Sequence, residues 1–249
     1  MKGITILLET SPPHRGGLYK KPFIFNLINE LTMKLTLVKS HFWKWFQKHA
    51  AAYASIFNRN EKEIAYLLDE LNMHLRAYCK HLEGGIGINK KMGTMDLIIS
   101  AHGRAAYFPK VDKLVACAPA LWHWQVIALE PRQPLDNMLD ICYPDVQLDP
   151  HRLWFEPLDE FSQTADIVVY SECCGMSDEG RFEAAVRAVL YNLLGERSYG
   201  LDLGELVIAN LSAAPRKENL QRLEELPFYI SKCISGHLEV GAGGELRKK

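Results

Sequence analysis

An α+β protein is the fold class this sequence predicts, and three patterns predict it. Apolar residues recur every three or four positions from 40 to 78, they then gather in short extended runs after Gly84, and the order of those later segments occurs twice. The expected architecture is an N-terminal helical hairpin followed by two strand-strand-helix-strand halves that form an antiparallel-rich sheet. Ferredoxin-like halves are one way to build it.

The helical hairpin comes first. Ser40 is placed to cap a helix over about 40–57, with Phe42, Phe46, Ala50, Tyr53 and Phe57 on one face. Asn60 followed by Glu63 reads as a capping box for a second helix, whose stripe is Ile64, Leu67, Leu68, Leu71, Leu75 and Tyr78. The short "NRN" join suits antiparallel neighbours.

From Gly84 the period changes to that of strands. "GGIGINK" and "MDLIIS" flank the turn "KKMG", and "FPKVDKLVACAP" follows as a helix with Pro109 in its first turn and Pro119 beyond its end. "WHWQVIALEP" is the next strand, and "MLDIC" with "VQL" makes a hairpin around Pro144 and Asp145. The plan then recurs: "LWFEPL" and "ADIVVYS" as strands, a helix over 179–194 with Gly195 just past its end, and "GELVIANL" as the closing strand. The pseudo-repeat covers about 84–130 and 152–211. It lies in a single domain over 33–235, between a loosely ordered extension at 1–32 and a flexible glycine-rich tail at 236–249.

Composition narrows the function classes. The chain has 249 residues and a formal net charge of −1, with 29 Lys plus Arg against 30 Asp plus Glu, so no global field draws it to nucleic acid or an anionic membrane. No apolar run approaches the roughly 18 residues of a membrane span. Six cysteines without a CxxC pair suit reduced thiols and a cytoplasmic location.

The pieces "FWKWFQKHAAAY", "DLIISAHGRAAYFPKVDKLVACAPALWHWQVIALEPR", "LDPHRLWFEPL" and "LPFYI" resemble a family of uncharacterised bacterial proteins, a domain of unknown function, over about 40–231. That resemblance implies one shared architecture and carries no activity or catalytic residues with it.

Three sets of residues are candidates for chemistry or binding. In "YSECCGMSDEGR", Cys174 lies just before a helix start, and pseudo-symmetric packing would bring it to His102 as a thiol-imidazole dyad. Against this, Glu172, Asp178 and Glu179 would raise the thiol pKa, and a structural strand-end corner is the simpler reading. In "AHGRAAYFPK", Arg104 beside a helix start could hold an anion, although the glycine spacing of a phosphate loop is missing. Trp122, Trp124 and Trp154 could form an aromatic surface that stacks single-stranded bases, but the surroundings are not basic and indoles beside aliphatics are more often core. No metal site is expected, because His74 and His81 are seven apart on one helix, and no cofactor motif occurs. The leading expectation is a non-enzymatic protein-binding or regulatory module with a protein partner. A cysteine-dependent enzyme and a single-stranded nucleic-acid binder are the alternatives.

Overall fold

The computed structural model describes residues 41–138, 148–158, 164–172, 179–215, 217–236, 238–240 and 246–248. The expected extension at 1–32, the "YPD" hairpin, Cys173 and Cys174 lie outside the described residues.

The chain opens with helix α1 over 41–54, followed by a 3-10 turn at Ile56–Asn58 and helix α2 at Glu61–Tyr78. Asn60 caps α2 as its sequence implies, its side chain accepting a hydrogen bond from the Glu63 amide at 3.1 Å. The two helices run antiparallel: Trp45 stacks on His74 near one end of the pair, and the Tyr53 hydroxyl donates to the Leu67 carbonyl near the other. Phe42, Phe46 and Tyr53 are buried as expected, whereas Phe57 is exposed. The change to 3-10 geometry after the helix rotates the chain, so that Ile56 turns inward in its place.

Strand β1 (Glu83–Asn89) pairs antiparallel with β2 (Thr94–Ser100), and helix α3 (Phe108–Val115) then returns the chain to β3 (Trp124–Ala128), parallel to β2. The second sheet follows the same succession. Strand β4 (Leu153–Pro157) is antiparallel to β5 (Ala165–Ser171), helix α4 (Glu179–Leu201) crosses back, and β6 (Leu203–Asn210) lies parallel to β5. A helical crossover makes each closing strand parallel, so both sheets are mixed. A two-residue β7 (Gln221–Arg222) pairs with β4, and α5 (Leu226–Gly236) follows. Beyond it β8 (Leu238–Val240) and β9 (Leu246–Lys248) form an antiparallel ladder within the segment read as a tail. Among the described residues antiparallel pairings outnumber parallel ones. No described helix is long and apolar enough to cross a membrane.

Two hydrophobic cores result. Leu97 and Ile99 of β2 pack with the helical hairpin and with Phe108, Val111 and Leu114 of α3. The second core joins Phe155, Ile167 and Val169 to Phe182, Val186, Val189, Leu190 and Leu193 of α4. The expected stop of α4 at Gly195 is a break inside the element, since Gly195 has φ 73° and ψ 158° and helix resumes after it.

Beyond that break the chain reaches the first half of the protein while Tyr199 and Leu203 still pack against the second core. Residues up to Leu194 belong to the second core, while Arg197 pairs in bidentate fashion with Asp112 of α3 at 2.6 and 3.3 Å, and Tyr199 packs beside Gly103. At Gly195 a Cβ would meet the Arg132 amide nitrogen at 2.7 Å, so the residue satisfies both a left-handed backbone and a close approach. Gly195→Ala is therefore expected to lower stability by at least about 1–2 kcal/mol, the cost of left-handed backbone for a residue with a Cβ. Urea unfolding checks it, and a change within about 0.5 kcal/mol, typical of an indifferent surface substitution, would contradict it.

Candidate functional site

The parallel strands β2 and β3 both end in left-handed backbone. After Ser100 the chain passes Ala101 into His102 at φ 53° and Gly103 at φ 72°, and after Ala128 it passes through Leu129 at φ 65°. Positive φ is uncommon outside glycine, and for a bulky buried residue such as Leu129 it marks imposed local geometry. The consequence is a convergence of backbone amides. Those of Ala101 and Gly103 donate to one oxygen of the Glu196 carboxylate at 2.7 and 3.1 Å, and that of Glu130 donates to the other at 3.0 Å.

Glu196 has no solvent-exposed surface, and it stands immediately after the Gly195 break. Its own amide returns a bond to the Glu130 carbonyl at 2.9 Å. Backbone amides curled by left-handed residues form an anion nest. Here the nest between the two strand ends is filled by a carboxylate of the chain itself.

Next to this latch lies a cleft of about 210 Å³. Its floor is Gly84, Gly85 and Ile98, where Gly85 and Ile98 face each other across β1 and β2. Glu83, Ser100, His102, Glu130, Gln133 and Asn192 contribute the polar part of its lining. Ligand sites of open α/β sheets lie at the carboxyl ends of parallel strands, and the cleft occupies that position. A Cβ added at Gly85 would meet nothing within 4 Å, so the opening over the floor is free of protein atoms there.

Two carboxyl groups share the cleft with opposite electrostatics. Glu83 is held below the usual carboxylate range, first by its hydrogen bond with the Arg76 guanidinium and then by His102, whose Nε2 lies 2.9 Å from Glu83 Oε2, while partial burial opposes both. Glu130 is pushed up, first by burial and then by the Glu196 charge, with His102, Ser100 and Tyr191 pulling the other way. Among the described residues the buried Tyr191 hydroxyl has no partner in ordinary hydrogen-bond geometry. Burial also raises the Tyr191 pKa and keeps the phenol protonated. Ser100 is buried, and its hydroxyl oxygen accepts from the His102 amide at 2.9 Å, fixing the turn that carries the imidazole.

The residues singled out by sequence are dispersed. His102 lines the cleft, paired with Glu83. The thiol half of the Cys174–His102 dyad falls outside the described residues. Arg104 is directed to His81 Nδ1 at 2.9 Å, so its guanidinium is engaged with a neighbouring ring. Trp122 and Trp124 do not share a strand face: β3 begins at Trp124, and His123 at φ 61° turns the chain between them. Trp122 is 87% exposed, Trp124 meets Phe46 edge-on at 5.2 Å, and Trp154 lies in the other sheet beneath the Arg222 guanidinium. The three indoles therefore form no common platform. Among the described residues no group of histidines, cysteines or carboxylates is placed to hold a metal ion.

Sequence reasoning passed over Glu83, Glu130 and Glu196. Their only local signals are a carboxylate closing the apolar run "VIALEP" and another directly after the helix-breaking glycine in "LLGERSYG". No protein-family model, curated protein or solved structure matches the chain.

The raised Glu130 pKa carries a definite sign. The folded state keeps this proton to higher pH than the unfolded chain does, so the group's contribution is present below the ordinary glutamate value of 4.5 and is lost as pH rises through the folded value. Glu130→Gln removes that loss. The variant is expected to match or exceed the parent at pH 7 and to show a flatter melting-temperature profile above pH 4.5. A profile that declines as steeply as the parent's would contradict the assignment.

Proposed function

We propose that the cleft at the ends of β2 and β3 binds a small polar molecule and performs general acid-base chemistry on it, with Glu130 as the acid and the Glu83–His102 pair as the base. The supporting observation is the partition of two carboxyls in one cleft: Glu83 biased to the charged form, Glu130 to the protonated form. Pairs of titratable groups pushed apart by their surroundings are how acid and base roles are divided at one pH. The Glu83 carboxylate engages one ring nitrogen at 2.9 Å and so orients the imidazole, leaving the other nitrogen for the substrate side.

A protein-binding role has its own support. Ile88, Met92 and Trp122 are exposed at the end of the first sheet opposite the cleft, where the β1–β2 turn meets the entry to β3. Exposed apolar groups gathered at one end of a domain suit a contact with a partner. Under either reading, the shared strand-strand-helix-strand order of the two sheets reflects an internal repeat, with the cleft lined mainly by the first copy and by Asn192 from the second.

The test of the acid-base reading combines titration with a blocked cleft. Glutamate carboxyl carbons followed by NMR should show Glu130 titrating above 4.5 and Glu83 below it. Small neutral polyols and amides that bind should shift the His102 and Gly85 amide signals, and Gly85→Leu should abolish these shifts while the protein still unfolds cooperatively. Ordinary titration of both carboxyls, or shifts that survive Gly85→Leu, would remove the reading.

A further inference from the structure

We propose that the bond this cleft hydrolyses is glycosidic, with one neutral sugar ring seated on the Gly84, Gly85 and Ile98 floor. The inference rests on the acid-base reading above and assigns its substrate class.

The choice among hydrolytic classes follows from what surrounds the carboxyls. Acyl transfer needs donors aimed at a developing oxyanion. The amides curled toward this site, those of Ala101, Gly103 and Glu130, are already bonded to the Glu196 carboxylate, which would also repel a second negative charge. Phosphoryl transfer needs cations around the transferring group, and no described residue lining the cleft is a lysine or arginine. An acetal has neither requirement. Its cleavage needs a proton at the leaving oxygen and a negative or hydrogen-bonding environment for a carbon that becomes cation-like. Glu130 and Glu83 supply these.

The remaining walls suit a sugar. A pyranose presents C–H faces and a rim of hydroxyls, and here the lining combines Gly84, Gly85 and Ile98 with the side-chain amides of Gln133 and Asn192 and the His102 ring, with open space over Gly85. The volume of about 210 Å³ is below the roughly 300–1,000 Å³ of pockets that hold drug-sized ligands. One ring, rather than a chain of them, is the fitting occupant.

The step balances with water as the second reactant. Protonated Glu130 gives its proton to the glycosidic oxygen as the bond from that oxygen to the anomeric carbon breaks, and the alcohol departs. A water oxygen bonds to the anomeric carbon and passes a proton to the His102 nitrogen not engaged with Glu83. Solvent then returns that proton to Glu130, so one water is consumed and a free sugar and an alcohol are released.

The experiment uses the full chain with phenyl and dinitrophenyl glycosides of several neutral sugars, alongside nitrophenyl acetate and nitrophenyl phosphate. Wild type is expected to cleave at least one sugar of the panel. Glu130→Gln should reduce kcat/KM on the phenyl glycoside by about 10²–10⁴, the usual worth of general acid catalysis. On the dinitrophenyl glycoside, whose leaving group departs unprotonated, the same variant should lose about tenfold or less. Gly85→Leu should suppress both, with thermal unfolding as the control for folding. Equal losses on the two leaving groups, or no cleavage of any glycoside, overturn the glycoside inference. Cleavage of the acetate or phosphate alone, sensitive to Gly85→Leu, overturns it as well while leaving the acid-base reading standing. The carboxyl titration judges that reading separately.

Discussion

The Glu196 carboxylate, buried and held by the amides of Ala101, Gly103 and Glu130, is the interaction on which the rest of this structure depends. A buried charge is costly unless its hydrogen bonds are made, and removing an acceptor strands buried donors at about 1–3 kcal/mol each. Here the acceptor comes from α4, which is anchored in the second core, and the donors come from the two strand ends of the first. The same contact joins the halves and dictates the backbone at both strand ends. Gly195 makes it possible, because only a break in α4 lets residue 196 leave the helix line and approach the Glu130 carbonyl.

The cleft's electrostatics descend from this contact. With the Glu196 charge fixed beside it in a poorly solvated corner, the Glu130 carboxyl resists ionisation. Glu83 lies farther out, where Arg76 and His102 reach it and stabilise its charge. Burial and a like-charge neighbour at Glu130, against the Arg76 and His102 hydrogen bonds at Glu83, thus set two chemically equal side chains to different tasks. The left-handed turn at His102 and Gly103, which serves the latch through its amides, also presents the imidazole to Glu83.

Most of the elements were legible in the sequence because they rest on local signals. Asn60 with Glu63 marks the start of α2, Pro109 sits in the first turn of α3, and the runs "MDLIIS" and "ADIVVYS" are strands. Where reading failed locally, the backbone changed type: Phe57 lost its place to Ile56 at a 3-10 turn, and Trp122 was separated from Trp124 by left-handed His123. Of the cleft, His102 was recognised but not its partners. Glu83, Glu130 and Glu196 are spread over more than a hundred residues, and nothing in periodicity or spacing signals that a glycine break would bring Glu196 to the Glu130 backbone.

Native-state hydrogen exchange at the Ala101, Gly103 and Glu130 amides tests the latch most directly. Two of the three belong to residues just past strand ends, where amides ordinarily exchange through local fraying. If Glu196 holds them, all three exchange only with global unfolding, and all three lose protection together in Glu196→Ala, which leaves no acceptor in the nest. Exchange at loop-like rates in the native protein, or protection unchanged by the substitution, would contradict a structure built around this carboxylate.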